Sequence, residues 1–219
     1  RTRIALLIEG HVQYAFMTIE EIERFYARFY PRWNRDAYYG LMEKLKVAPR
    51  QRISRMSCGQ RSQVALGLIL AQNADLLVLD DFSMGLDPGY RRLFVEYLRD
   101  YARSEEKTIF LTSHIIQDME KLVDDCIIMD YGSILVQMPV AELLATFRRY
   151  TFDVQQGAAL PAGSGIYHPA VLNGRAELYS FDSPATVQGV LQRAGIACGD
   201  LKAETMNLED AFIGLTGKY

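Results

Sequence analysis

Two adjacent acids, Asp80 and Asp81, directly follow the apolar run of residues 76–79 in this 219-residue chain. Such a run predicts a buried strand, and the carboxyl ends of parallel strands are where α/β sheets bind ligands. Carboxylate oxygens are ligands that Mg²⁺ prefers, so Asp80 is a candidate metal ligand. A second acid could position or deprotonate a water molecule, which makes Asp81 a candidate catalytic residue. Many α/β strands end in an acid, so this pair alone is a weak indication of function.

A second candidate site is the segment Ser57-Cys58-Gly59-Gln60, which precedes an apolar stretch. Ser followed three residues later by Gln is a capping box, in which two side chains satisfy free backbone amides at a helix start. A helix start also presents the positive end of the helix dipole, and its free amides suit a phosphate group. A capping box taken alone is more often structural than functional.

The remaining candidates follow the paired acids along the chain. Gly85-Leu86-Asp87-Pro88 combines turn residues with an N-cap and a proline at the first helical position, so it predicts a tight turn and a new helix. His114 closely follows the apolar strand predicted over residues 108–112. A lone His at a strand end is more often structural. At this place, however, it could reach the crevice of Asp80 and Asp81 and hydrogen-bond a phosphate or an attacking water.

Alternating strands and helices must hold these residues in place. Apolar runs predict strands at residues 4–8, 76–79, 108–112, 126–129, 134–136, 150–154 and 175–181. Capping residues and prolines predict helices at residues 18–30, 34–45, 57–73, 87–101, 115–123, 139–147, 183–195 and 207–215. This order predicts an α/β fold with a largely parallel sheet. We expect a main domain over residues 1–138, with a helical part at about 18–72, and a small α/β appendage over 139–219.

The composition limits the classes of function. Hydrophobic residues make up 49% and charged residues 23%, which is ordinary for a globular domain and argues against wholesale disorder. The formal net charge is −3, so we expect no nucleic-acid partner. The three cysteines are widely separated, which favours free thiols over a zinc site or a disulfide framework. No apolar run approaches the roughly 20 residues of a membrane-spanning helix.

Taken in order, these motifs resemble those of the ABC ATPase family closely. Met56-Ser57-Cys58-Gly59-Gln60 resembles the family signature, usually Leu-Ser-Gly-Gly-Gln. Asp80 matches the magnesium aspartate of the Walker B motif, and Asp81 stands where the family normally has its catalytic glutamate. Gly85-Leu86-Asp87-Pro88 resembles the D-loop and its continuation, and His114 matches the switch histidine. The ordered set is far more specific than any single motif.

The resemblance extends toward both ends of the chain. Residues 4–18 resemble the strand and loop around the Q-loop, with Glu9 in the place of the usual Gln. The segment Leu208-Glu209-Asp210-Ala211-Phe212 resembles the tail of bacterial export-type ABC ATPases. The resemblance is strong over residues 1–138 and looser beyond.

The resemblance implies a P-loop NTPase-like (RecA-like) ABC ATPase fold and the cofactors ATP and Mg²⁺. It assigns Ser57, Gly59 and Gln60 to ATP binding, Asp80 to the metal, and Glu9 to both. It gives Asp81 and His114 catalytic roles, and it places the D-loop residues Gly85, Leu86 and Asp87 at a dimer interface.

The resemblance also implies partners. ATP held by one subunit meets the signature helix of a second ATP-binding subunit in a head-to-tail dimer, which closes on binding and reopens on hydrolysis. The aromatic-rich helical region would dock on a transmembrane permease, so that the protein is cytoplasmic and peripheral on the inner face of the cell membrane.

Three alternatives remain open. The chain could be a soluble ABC protein of translation or DNA repair, although it has no long coiled-coil insertion and no second cassette. It could be a degenerate, non-hydrolysing regulatory partner of an active subunit. It could also be a plain α/β domain with coincidental caps and strand ends, which the order of four motifs argues against.

The sequence departs from the family pattern at four places. It contains no G-x-x-x-x-G-K-[ST] P-loop, which the family places before the Q-loop and so upstream of Arg1. The opening strand favours truncation over genuine loss of this loop. Asp81 is one methylene shorter than Glu, which withdraws its carboxylate by about 1 Å and is expected to slow hydrolysis. Cys58 could crowd a phosphate where the family has glycine, whereas Glu9 is chemically tolerable near magnesium.

We expect the 219-residue chain by itself to bind ATP weakly, because it lacks the backbone cradle and lysine that hold the phosphates in P-loop proteins. Titration of the isolated chain with ATP and Mg²⁺, followed by calorimetry, measures the affinity. A dissociation constant in the micromolar range would contradict this expectation.

Overall fold

The computed structural model describes residues 3–8, 14–44, 46–83, 86–155, 157–163, 165–198 and 200–217. The chain divides into two compact units, Arg1–Asp118 and Met119–Tyr219. The sequence predicts a later end for the main domain, at residue 138. This difference concerns residues 119–138, whose contacts group them with the second unit. The boundary between residues 138 and 139, as a division between domains, stays a prediction.

The described residues of the first unit include a parallel sheet of three strands. The strands are β1 (Ile4–Leu7), β2 (Leu76–Asp80) and β3 (Thr108–Thr112), in the order β1-β2-β3. All three were expected from their apolar runs. Ala5 and Leu7 are buried, whereas Ile4 is 56% exposed, so β1 buries one of its faces within the described residues.

Besides the 3₁₀ helix Ile53–Arg55, the described residues of the first unit form four α-helices. They are α1 (Ile19–Ala27), α2 (Arg35–Lys44), α3 (Cys58–Ala71) and α4 (Pro88–Ser104). Their predicted caps are confirmed, since each cap side chain accepts a hydrogen bond from a first-turn amide: Thr18, Asn34, Ser57 and Asp87. Helix α1 ends earlier than predicted because the amide of Phe29 turns back to the carbonyl of Tyr26 at 2.9 Å. The predicted helix member Leu45 lies outside the described residues.

Helices α2 and α3 approach each other closely at Gly67. A Cβ atom placed on Gly67 would lie 2.9 Å from the terminal carbon of Met42 and 3.1 Å from the ring of Tyr38. Tyr38 is fully buried, and its hydroxyl donates a hydrogen bond of 3.0 Å to the carbonyl of Ile19. Burial raises the pKa of the Tyr38 hydroxyl, which keeps it a neutral donor. These contacts tie α3, whose start carries Ser57, to the two preceding helices.

The second unit contains a hairpin that matches the predicted strands. Strand β4 (Asp125–Asp130) pairs with β5 (Ser133–Pro139) in antiparallel fashion and leads to α5 (Val140–Thr146). The helix expected at residues 115–123 is instead a short 3₁₀ helix, Ile116–Lys121.

After α5, the described residues form a four-stranded antiparallel sheet and two helices. Its strands are β6 (Arg148–Asp153), β7 (Tyr167–Leu172), β8 (Arg175–Ser180) and β9 (Lys202–Glu204), in the order β7-β8-β6-β9. The edge strands β7 and β9 were not predicted, because β7 contains a proline and an irregular register and β9 has three residues. Helices α6 (Pro184–Arg193) and α7 (Leu208–Thr216) begin at their predicted caps.

Two further expectations concern the whole chain. In the described ranges, no helix has both the length and the apolar character needed to cross a bilayer. The three cysteines are free thiols, as expected from their spacing; Cys58 is exposed and Cys198 is buried.

We predict that Gly67→Ala lowers the free energy of unfolding by about 1–3 kcal/mol, because the added methyl group would crowd the terminal carbon of Met42 and the ring of Tyr38, which are packed in the core. Gly40→Ala is the matched control. Gly40 lies in α2 with no atom within 4 Å of an added Cβ. This control should gain about 0.5–1 kcal/mol from helix propensity. Denaturant unfolding of both variants measures the difference, and equal effects would contradict close packing at Gly67.

Candidate functional site

The carboxyl edge of the parallel sheet brings the paired acids and the histidine together. Asp80 is the last residue of β2 and lies directly opposite Thr112, the last residue of β3. Asp81 follows with a backbone φ of +43°, a conformation that Asp and Asn tolerate better than most other residues. His114 comes two residues after the end of β3. Parallel pairing in this register therefore collects all these side chains at one edge.

Hydrogen bonds link the end of β3 to both acids. The Thr112 hydroxyl donates to Oδ1 of Asp80 at 2.5 Å. The amide of Asp81 donates to the same hydroxyl oxygen at 3.1 Å and to the Thr112 carbonyl at 3.2 Å. Thr112 was not among the candidate residues of the sequence. The only signal was a hydroxyl residue at the end of a strand, and its value depends on a register that the sequence does not state.

The histidine contacts the second acid directly. Nδ1 of His114 lies 2.8 Å from Oδ2 of Asp81, in side chains that are 61% and 16% exposed. The other oxygen, Oδ1 of Asp81, is buried and has no hydrogen-bond partner in the part of the chain that the structure describes. A His that donates through Nδ1 keeps Nε2 available for another group. The exposed ring nitrogen Nε2 is therefore available to a bound water or phosphate, whereas Oδ1 of Asp81 is covered.

The segment Ser57–Gln60 forms the predicted capping box at the start of α3. The amide of Gln60 donates to the Ser57 hydroxyl at 3.2 Å, and the amide of Ser57 donates to Oε1 of Gln60 at 3.1 Å. Donors remain after these bonds, because a serine hydroxyl still has its hydrogen and a glutamine its amide group. The first-turn amides of Cys58 and Gly59 have no acceptor within the helix, as at any helix start. The N-terminus of α3 therefore presents a set of hydrogen-bond donors suited to an anion.

The turn after β2 is described in part. The amide of Leu86 donates to the carbonyl of Ser83 at 3.2 Å, and Leu86 is buried. Asp87 accepts from the amides of Gly89 and Tyr90 at 3.0 and 3.2 Å, so its side chain caps α4. The predicted site residues Gly85 and Glu9 lie outside the described residues.

The candidate residues thus form two clusters within the first unit. Ser57 and Gln60 bond to each other, whereas Asp80 and Asp81 bond to Thr112 and His114. Among the described residues, no group of three or more His, Cys, Asp and Glu side chains could enclose a metal ion. This arrangement still fits Mg²⁺, which is commonly bound through one or two carboxylates and completed by phosphate oxygens and water. The exposed carboxylate of Asp80 suits that kind of site.

The chain is similar to an AAA domain family and to ATP-binding proteins of transporters. A family described as "AAA domain, putative AbiEii toxin, Type IV TA system" matches residues 11–117. Over 89 residues, the chain is 38% identical to the energy-coupling factor transporter ATP-binding protein EcfA2 of Staphylococcus aureus (strain MRSA252), covering 41% of this chain and 31% of that protein. Over 181 residues it is 28% identical to the bacitracin transport ATP-binding protein BcrA of Enterococcus faecalis, covering 80% and 57%.

A solved structure supports the fold. A structure titled "Structure of ATP binding subunit of ABC transporter" superposes with a TM-score of 0.55 at 21% identity, over 66% of this chain and 62% of the other. The predicted ABC ATPase fold is therefore confirmed. The chain spans about a third of the EcfA2 protein and over half of BcrA.

Proposed function

Because the chain is homologous to ATP-binding subunits of ABC transporters, we propose that it binds and hydrolyses ATP with Mg²⁺ to power a membrane permease. In this proposal Asp80 holds the metal, and Asp81 with His114 acts on the attacking water and the γ-phosphate. The protein works as a head-to-tail dimer with a second ATP-binding subunit, in the cytoplasm on the inner face of the cell membrane.

The proposal depends most on the contact between Asp81 and His114. A general base must reach the water it activates, and a partner that fixes its orientation makes this contact productive. The distance of 2.8 Å from Nδ1 of His114 to Oδ2 of Asp81 supplies that orientation. The carboxylate of Asp81 would accept the proton of the water; its Oδ1 is buried and unpartnered in the part of the chain that the structure describes, so the water must displace the groups that cover it. Asp81 could then serve as the base although it is shorter than glutamate.

The capping box at the start of α3 supports the dimeric arrangement. The hydrogen bonds of Ser57 and Gln60 join these two residues to each other, whereas those of Asp80 and Asp81 join them to Thr112 and His114. If each ATP needs both clusters, two subunits can supply one each. Closure of the two around the nucleotide would then assemble the complete site. Glu9, Gly85, Leu86 and Asp87 would complete the metal site and the dimer contact.

Exposed aromatic side chains near α1 support docking on a permease. Phe16 is 67% exposed, Phe29 is 62% exposed, and both are joined through edge-to-face contacts with Tyr14 and Phe25. Aromatic residues are enriched in protein–protein interfaces because they bury much area at a low cost in conformational entropy. We propose that this aromatic patch, Tyr14, Phe16, Phe25 and Phe29, contacts the permease.

We expect Asp81→Asn and Gly59→Asp each to lower the ATPase rate of the full-length protein by about 10²-fold or more. The first removes the proposed base, and the second places a negative charge where the γ-phosphate would lie. An acid in the first turn favours the helix, so Gly59→Asp should stay folded. If the protein is a dimer of two copies, an equal mixture of the Asp81→Asn and Gly59→Asp subunits should regain roughly a quarter of the native rate. Half of the dimers then contain one subunit of each variant, and one of the two ATP sites in such a dimer combines an intact acid with an intact signature segment.

His168→Ala is the control for general effects of losing a polar side chain. His168 belongs to the second unit, where its ring hydrogen-bonds to the carbonyl of Leu215, and it is not a candidate site residue. It should keep the native ATPase rate. A mixture that is no faster than its two components would rule out a site shared between two copies. A native rate in Asp81→Asn would rule out the proposed base.

We further expect the double variant Phe16→Ser, Phe29→Ser to sediment less with membranes that contain the permease, because it loses the exposed aromatic contacts. Leu172→Ser is the matched control, since Leu172 is 75% exposed and lies in the second unit. Sedimentation of the purified variants with permease-containing and permease-free vesicles measures the effect. Equal recovery of the native protein and the double variant would contradict the docking surface.

A further inference from the structure

One hydroxyl group lies between the two acids of the site. Thr112 is the last residue of β3, and the parallel register sets it beside Asp80. Its hydroxyl hydrogen-bonds to the side chain of Asp80 and to the backbone of Asp81. A hydroxyl has one hydrogen and two lone pairs, so it can donate to one group and accept from another at the same time. The observed bonds use both capacities.

The bond to Asp80 occupies one carboxylate oxygen and leaves the other, Oδ2, for other ligands. Thr112 donates to Oδ1 of Asp80 at 2.5 Å, and this bond does not involve Oδ2. Groups that hydrogen-bond to a metal-binding carboxylate orient it and tune its affinity. The Thr112 hydroxyl would therefore fix which oxygen of Asp80 faces the metal.

The bond to Asp81 stabilises an unusual backbone. Asp81 has a φ of +43°, a region that side-chain-bearing residues seldom adopt without support. Both acceptors of its amide, the hydroxyl at 3.1 Å and the carbonyl at 3.2 Å, belong to Thr112. In this turn Oδ2 of Asp81 reaches Nδ1 of His114 at 2.8 Å. Thr112 thus supports the geometry of the acid–histidine pair through its bonds to Asp81.

We infer that Thr112 is a positioning residue of this site: its hydroxyl orients the Asp80 carboxylate and holds the turn that directs Asp81 toward His114. The inference rests on the proposed function for its effect on ATP hydrolysis. The hydrogen bonds themselves can be tested without any ATPase activity.

The test compares three variants of the full-length protein. Thr112→Val keeps the shape of the side chain and removes the hydroxyl, whereas Thr112→Ser keeps the hydroxyl. Thr108→Val is the matched control, because Thr108 is the first residue of the same strand and is also exposed. Thermal unfolding confirms that each variant is folded.

The first readout is hydrogen exchange of the Asp81 amide, measured by NMR without nucleotide. Exchange in Thr112→Val should be about 2- to 10-fold faster, as expected for the loss of one hydrogen bond. Thr112→Ser and Thr108→Val should exchange like the native protein. An unchanged exchange rate in Thr112→Val would overturn the inference.

The second readout is the dependence of the ATPase rate on Mg²⁺. Thr112→Val should need about 10-fold more Mg²⁺ for half of its maximal rate and should lose about 10-fold in kcat, and Thr112→Ser should restore both. If Thr112→Val speeds exchange of the Asp81 amide but keeps the native Mg²⁺ dependence and kcat, Thr112 has only a structural role, and the inference is overturned. If the native protein hydrolyses no ATP, the proposed function fails, and the exchange rates alone decide whether Thr112 holds Asp81.

Discussion

The pairing of β2 with β3 is the constraint on which the candidate site depends. The parallel register places Asp80 opposite Thr112, and every other contact of the acid cluster follows from that alignment. A shift of one residue would turn each side chain to the other face of the sheet. Leu77 and Leu79 are fully buried, so such a shift would expose core residues. Burial of the strand core thereby fixes the register that the chemistry at the strand end requires.

The helix starts show how one local geometry serves stability and binding together. The capping box at Ser57 satisfies backbone groups of α3, and the same turn presents the donors that an anion would use. Asp87 likewise caps α4 while standing in a segment that resembles a D-loop. A stabilising role for these residues is therefore compatible with the proposed binding role.

Asp81 illustrates how backbone conformation and side-chain length act together. In the resemblance to ABC ATPases the residue takes the place of a glutamate, and it lies at a positive φ that aspartate tolerates comparatively well. Its short side chain still reaches His114 at 2.8 Å. The turn, rather than an added methylene, brings the carboxylate to the histidine. A substitution that looks like a loss in the sequence therefore retains the contact that matters most for the proposed chemistry.

The sequence alone determined the features that depend on neighbouring residues. The caps at Thr18, Ser57 and Asp87 start the helices as predicted, because a cap bonds within its own first turn. The apolar runs became strands, and the order of the motifs indicated the ABC ATPase fold that the comparisons confirm.

Only the tertiary structure decided the register that joins Asp80 to Thr112, the positive φ of Asp81 and the close approach of α2 to α3 at Gly67. It also decided the edge strand β9, which pairs with β6 from a distant part of the chain. Each of these features depends on contacts between residues far apart in the chain. Local propensity carries no information about such contacts, because their free energy comes from packing and hydrogen bonds that exist only once the distant segments meet.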